Sequence, residues 1–147
     1  MTLRFIVYGQ AEPAGSKRSI GHRRIIDANP KAADWKRQVA QVVGQAFDGN
    51  RLLEGALELE LVFYRPRPAN HYGTGRNQGR VKASASEYPV GRPDVLKLAR
   101  GVEDALSGIL YMDDAQIVSE RLAKLYGSPA RVEITVTVMS ARAEGAA

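Results

Sequence analysis

Arg92-Pro93-Asp94-Val95-Leu96-Lys97-Leu98-Ala99-Arg100 and, a dozen residues on, Tyr111-Met112-Asp113-Asp114-Ala115-Gln116 decide how this chain is read. Pro93 opens a helix expected to run to Ser107, with Gly108 at its end, and Val95, Leu98, Val102, Ala105, Leu106 and Ile109 form its buried stripe. A carboxylate stands at the start of that helix, basic side chains follow, and a short turn then supplies two more carboxylates. In a basic protein, carboxylates gathered beside Lys and Arg suit a hard cation acting on a phosphodiester, because Mg²⁺ takes oxygen ligands and the bases hold the polyanion against it.

Strands flank this helix on both sides. Leu57, Leu59, Leu61 and Phe63 alternate with Glu58 and Glu60, the signature of a half-buried strand. Leu3 to Gly9 is another strand. Ile117 to Tyr126 and Arg131 to Met139 are two more, expected to form a hairpin through Gly127-Ser128-Pro129. Asn29-Pro30 caps a first helix carrying Trp35, Val39, Val42, Val43 and Ala46 on one stripe, stopped at Gly49-Asn50. Trp35 fits a core anchor on that stripe better than a base-stacking platform. The order β-α-β-α-β-β predicts an α+β sandwich with one mixed four-stranded sheet packed by two helices. One domain over residues 1–140 and a frayed tail over 141–147 follow.

Two segments are rich in bases and poor in regular structure. Residues 10–29 hold Lys17, Arg18, Arg23 and Arg24, with a short hairpin expected around Gly21-His22. Tyr64 to Gly91 sets Arg65, Arg67, Arg76, Arg80 and Lys82 against the single acid Glu87, which predicts a phosphate-contacting arm that orders on binding, or else a solvated insertion. His22 and His71 stand alone, as loop residues facing solvent or phosphate.

Bulk properties agree with an anionic partner. The 147 residues carry a net charge of +5, with a pI near 9.7, so nucleic acid comes first and an anionic membrane surface second. There is no cysteine, which removes thiol catalysis and Cys-ligated zinc. No apolar run reaches membrane-span length and the N-terminus has no signal-peptide pattern, so a cytoplasmic protein is expected.

Each carboxylate also has a structural reading. Asp94 suits a helix cap, and Asp113-Asp114 suit a turn. Asp94 lies about 20 Å of helix from Ser107, so their meeting requires the following strand to run back along the helix. Leu96 is out of place: it falls on the helix side of Arg100 and Glu103, roughly 120° from the centre of the buried stripe.

These residues resemble the RusA family of Holliday junction resolvases, especially phage and prophage members. The family pattern is Pro-Asp-hydrophobic-Asp-Asn/Lys-Leu-x-Lys/Arg, an Asp-Ala-Leu segment, then aromatic-x-Asp-Asp-Ser/Ala-Gln-Val/Ile. Pro93-Asp94-Val95, Lys97-Leu98, Arg100, Asp104-Ala105-Leu106 and Tyr111-x-Asp113-Asp114-Ala115-Gln116-Ile117 match it. Lys124-x-Tyr126-Gly127 and Pro13-x-Gly15-Ser16-Lys17-Arg18 are similar to further family segments, so the likeness spans nearly the whole chain.

The resemblance implies a homodimeric endodeoxyribonuclease that nicks four-way DNA junctions symmetrically in recombination and repair, in a bacterial or phage setting, with no small-molecule substrate. It implies Mg²⁺, for which Mn²⁺ can substitute, held by Asp94 and Asp114 with Asp113 assisting. Arg100 and Lys124 are implied catalytic bases, although each suits a solvated or ion-paired charge equally well. Lys17, Arg18, Arg23, Arg24, Arg65, Arg67 and Arg92 are expected DNA contacts. Leu96 occupies the place of the family's second helix carboxylate and cannot ligate Mg²⁺. Losing one anion costs kilocalories of cation binding, at about 4 kcal/mol per unit-charge pair 4 Å apart in a medium of effective dielectric near 20. DNA binding is therefore expected to outlast cleavage. A non-cleaving junction binder of the same fold is the alternative, and a protein-interaction module with an acidic turn is a third reading.

Overall fold

The computed structural model describes residues 1–15, 17–19, 21, 25–27, 29–48 and 51–140, with backbone alone for 17–19 and 25–27. In chain order the elements are β1 (Thr2–Tyr8), β2 (Lys17–Ser19), β3 (Ile25–Asp27), α1 (Ala32–Ala46), β4 (Leu57–Arg65), α2 (Val95–Leu106), β5 (Ile117–Tyr126) and β6 (Arg131–Val138). One mixed sheet has the order β1-β6-β4-β5, and β2 and β3 make a separate small hairpin. The expected α+β architecture, one four-stranded mixed sheet with two helices, is what forms.

The alternation in β4 explains why it lies inside the sheet. Leu57, Leu59, Leu61 and Phe63 are fully buried, each worth about 1.5–3 kcal/mol in apolar surface removed from water. They face α1 and α2, whose Trp35, Val39, Val43, Leu98, Val102 and Leu106 complete one core. Trp35 is thus the core anchor that its helical spacing implied. The other sheet face has no helix among the described residues; there the Arg131 guanidinium lies 3.9 Å from the centre of the Tyr64 ring and 3.1 Å from Glu133.

The expected hairpin of β5 with β6 does not form. β5 pairs parallel with β4, β6 pairs antiparallel with β4 on its other side, and the connection steps across the end of β4. Two features make this possible. The α2 crossover delivers β5 parallel to β4, as a strand-helix-strand unit does. Gly127 then lies against β4: its N–H donates to the Arg65 carbonyl at 2.9 Å, and a Cβ on it would meet Tyr64 Cδ1 at 2.6 Å. The glycine is there for close approach, where the sequence suggested a turn.

Helix α1 starts two residues later than Asn29-Pro30 implied. Asn29 is bound elsewhere: its Oδ1 accepts from Lys31 N–H at 3.1 Å and its Nδ2 donates to Glu12 at 2.8 Å. It builds a turn that ties the loop after β1 to the helix. The expected stop at Gly49-Asn50 falls outside the described residues, as does the tail 141–147; the last helical residue is Ala46.

Gly127→Ala should destabilise the chain by about 1–3 kcal/mol through overpacking against Tyr64, read as a lowered urea midpoint with unchanged slope. No loss would contradict the close crossing.

Candidate nuclease site

Helix α2 sets the geometry of every acidic residue singled out above. β5 does run back along it: Lys124 Nζ donates to the carbonyls of Gly91 at 2.7 Å and Pro93 at 2.9 Å. The residue that returns to Asp94 is therefore Lys124, near the end of β5. Asp113 and Asp114 precede that strand and stay at the other end of α2. Its 12 residues span about 18 Å.

Asp94 is the helix N-cap by backbone geometry, yet its side chain accepts no capping bond. Its carbonyl takes the N–H groups of Lys97 and Leu98, at 3.1 and 3.2 Å, and its carboxylate is exposed. The capping reading does not account for this carboxylate. Lys124, by contrast, spends its ammonium on two backbone carbonyls and positions the approach to Asp94. Leu96 is 69% exposed in the first turn, so nothing in the core demands leucine there.

At the far end the roles divide. Asp113 caps the 3₁₀ turn Asp114–Gln116: its Oδ1 accepts from Ala115 N–H at 2.8 Å, while Gln116 Oε1 accepts from Asp113 N–H at 3.1 Å. Gln116 Nε2 also donates to the carbonyls of Leu53 and Gly55, both at 3.0 Å. Tyr111 braces the turn from below, fully buried, with its hydroxyl donating to the Glu103 carbonyl at 3.0 Å. Asp114 is left facing a polar recess shared with Gly15, Arg100, Glu103 and Asp104. A hydrogen bond with Asp113, some desolvation, and the charges of Asp113 and Asp104 push its carboxyl above the ordinary carboxylate range.

The recess has a second wall. The loop after β1 lies along α2, with Ala14 N–H donating to the Lys97 carbonyl at 3.0 Å. Gly101 permits this, since a Cβ there would meet the Glu12 carbonyl oxygen at 3.2 Å. Gly15 (φ +98°) lies under Arg100, whose Cδ would sit 2.9 Å from a Cβ on it. The hairpin β2–β3 follows this loop in the chain. Glu103 and Asp104 are the recess members not picked as site residues. Asp104 also pairs with Lys36 of α1 at 3.4 Å.

Among the described residues, no group of three or more acidic or histidine side chains is placed to hold a metal ion. Asp94, Asp113 and Asp114 of one chain are not brought together, and Leu96 offers no oxygen. The described residues of a single chain thus gather no set of three side-chain ligands for Mg²⁺.

The expected DNA contacts separate as well. Arg92 is exposed. Arg65 is half-buried, and desolvation there lowers its pKa against the opposing charge of Glu12. Arg67 lies 4.4 Å over the Tyr126 ring, donates to the Ser86 carbonyl at 2.7 Å and meets His71 Nδ1 at 3.1 Å. His71 packs edge-on against Tyr126, so it faces protein where solvent or phosphate was expected. The 64–91 segment also carries its own backbone bonds, among them Gly73 N–H to Arg80 O at 3.0 Å and Lys82 N–H to His71 O at 2.8 Å. These bonds tie the segment to itself. Lys17 and Arg18 lie on β2, with side chains outside the described set, and Arg23, Arg24 and His22 lie outside the described residues.

Residues 9–137 match the family model described as Endodeoxyribonuclease RusA. The chain belongs to the RusA endodeoxyribonuclease family. Membership implies Holliday junction resolvase activity and binding of branched DNA. A protein of Bacillus subtilis (strain 168) described as uncharacterized, YqaN, is 26% identical over 140 residues, covering 95% of this chain and 98% of its own length. No helix among the described residues is long and apolar enough to cross a membrane.

Asp113→Asn keeps the capping acceptor and removes the neighbouring charge. The Asp114 carboxyl should then titrate at lower pH, read by carboxyl ¹³C NMR. An unchanged titration would contradict the pairing.

Proposed function

We propose that this chain binds four-way DNA junctions and nicks them as a homodimer, in recombination and repair, with cleavage weakened by Leu96. Family membership over residues 9–137 carries the reading. The exposed Asp94, the Arg100–Asp114 recess and the bases at positions 17–24 supply chemistry of the right kind. Arg100 is placed to hold a phosphate oxygen beside an acidic side chain, the arrangement that stabilises charge developing on a phosphodiester. Asp94 and Asp114 are the proposed reactive carboxylates, Asp113 supports Asp114, and Lys124 positions the backbone before Asp94.

The proposed cation requirement, Mg²⁺ or Mn²⁺, comes from the family. One chain's described side chains gather no three ligands for it. The basic groups proposed to face DNA are Arg92, Lys17, Arg18, Arg23 and Arg24. Arg67 is assigned to holding the 64–91 segment instead, and Arg65 lies half-buried near Glu12.

The test is a synthetic four-way junction incubated with protein and Mg²⁺ or Mn²⁺. Binding should be retained and steeply salt-dependent, as several phosphate contacts require. Paired nicks should be weak and should strengthen at least tenfold in Leu96→Asp. Tight binding with no nicks in either protein would favour a non-cleaving junction binder. Salt-independent, weak binding would remove the nucleic-acid reading altogether.

Arg67→Ala should loosen residues 66–91, seen as faster amide exchange at Gly73 and Lys82, with little change in junction affinity. A large affinity loss with unchanged exchange would return Arg67 to the DNA interface.

A further inference from the structure

Away from the Arg100–Asp114 recess, an apolar recess of about 540 Å³ opens on the helix side of the sheet, beside β1. Leu3 and Phe5 of β1 form part of its lining, with Ala46 and Phe47 at the end of α1 and Leu53 beyond them. Its two charged members are both cations, Arg4 and Arg51. Among the described residues neither has an ion-pair partner. Strand alternation sends the Arg4 side chain to the face opposite Leu3 and Phe5, whereas Arg51 belongs to the recess side. Opposing cations thus flank one short stretch of β1.

The backbone of that stretch is unused on its outer side. Gly9 N–H donates to Ala130 O and Val138 N–H to Met1 O, both at 2.9 Å. By the alternation of an antiparallel ladder, odd-numbered β1 residues bond to β6 and even-numbered ones point their N–H and C=O outward. Gln38 takes the outward carbonyl of Tyr8, which closes that end. The open run is therefore Thr2 to Ile6, and among the described residues its outward backbone groups meet no partner. Each feature rejects a different occupant. A lipid chain would fill the recess and leave a row of peptide groups unpaired. Nucleic acid would meet the arginines and not the apolar lining. An extended acidic peptide satisfies recess, cations and backbone together.

We propose that an acidic, extended segment of a different protein adds as a further strand along β1, antiparallel, between Thr2 and Ile6. Arg4 and the peptide residue opposite it exchange both backbone bonds, as an antiparallel hydrogen-bonded pair does. Side chains of such a pair share a face, so that residue is an acid lying against Arg4. Its two neighbours point to the recess side, opposite Leu3 and Phe5, and are apolar. A second acid, two residues past the latter apolar one, returns to the recess side and is met by Arg51. The motif is apolar-acid-apolar-any-acid, in which the main chain supplies affinity and the alternating side chains supply specificity. This surface shares no lining residue with the Arg100–Asp114 recess, so docking is separable from nicking.

The probe is a fluorescein-labelled peptide, Gly-Ser-Leu-Glu-Phe-Ser-Asp-Gly, titrated with the full chain and read by anisotropy. Binding should saturate. Methylating the peptide's Glu backbone nitrogen removes only its donor to the Arg4 carbonyl and should weaken binding at least tenfold. Arg4→Glu combined with Arg51→Glu should abolish binding. A peptide with Lys at both acid positions should bind that double variant and not the wild type. Light scattering should give both proteins the same oligomeric state, and their junction affinities should agree within a factor of two. If the double variant does not fold, the methylated and Lys-bearing peptides decide on the wild type alone. No saturation, indifference to methylation, or equal binding of acidic and basic peptides by the wild type would overturn the proposal. A changed oligomeric state in the folded double variant would overturn it by giving the edge to a second copy, and a tenfold loss of junction affinity by giving the arginines to DNA. Peptide binding by a chain that neither binds nor nicks junctions would leave it standing and remove the nuclease reading.

Discussion

The arrangement rests on the burial of one face of β4 between two neighbours of opposite direction. Because Leu57, Leu59, Leu61 and Phe63 are all sealed under the helices, β4 is the strand that both β5 and β6 must join. The α2 crossover brings β5 in parallel on one side, which leaves β6 the other. From that single placement follow the tight crossing at Gly127, the course of β5 along α2, and the anchoring of Pro93 by Lys124.

The same placement distributes the chemistry. α2 acts as a spacer with Asp94 at its start and the Asp113–Asp114 turn past its end. A strand that runs back along a helix returns its own late residues to the helix start, so a lysine arrives where a carboxylate was sought. Asp113 is consumed in holding the turn, and Asp114 is presented beside Arg100. In a family of junction nucleases this leaves two separated acidic positions on each chain. Within one chain the acid pair lies a helix length from Leu96.

Much of the fold was legible in the residues themselves. Period-two alternation marked β4, and the helical stripes around Trp35 and Leu98 marked α1 and α2, because burial imposes those periods directly. Strand order was not legible. Gly127-Ser128-Pro129 has hairpin composition, and only the space taken by Tyr64 shows that it bridges two non-adjacent strands. At the site, the exposure of Leu96 could be read from helical phase, whereas Asp94 had the composition of a cap and is not used as one. The involvement of Glu103 and Asp104 could not, since it depends on how the turn after α2 folds back. Nor could the internal use of Arg65, Arg67 and His71: a basic loop and a cation packed on a tyrosine have the same composition.

The separation of Asp94 from Asp114 within one chain is most directly tested by nitroxide labels on Asp94→Cys and Asp114→Cys, measured by pulsed electron resonance with labelled chains diluted in unlabelled protein. The helix between them predicts a distance on the order of 15–20 Å. Labels in contact range within a single chain would contradict the account and restore a one-chain carboxylate cluster.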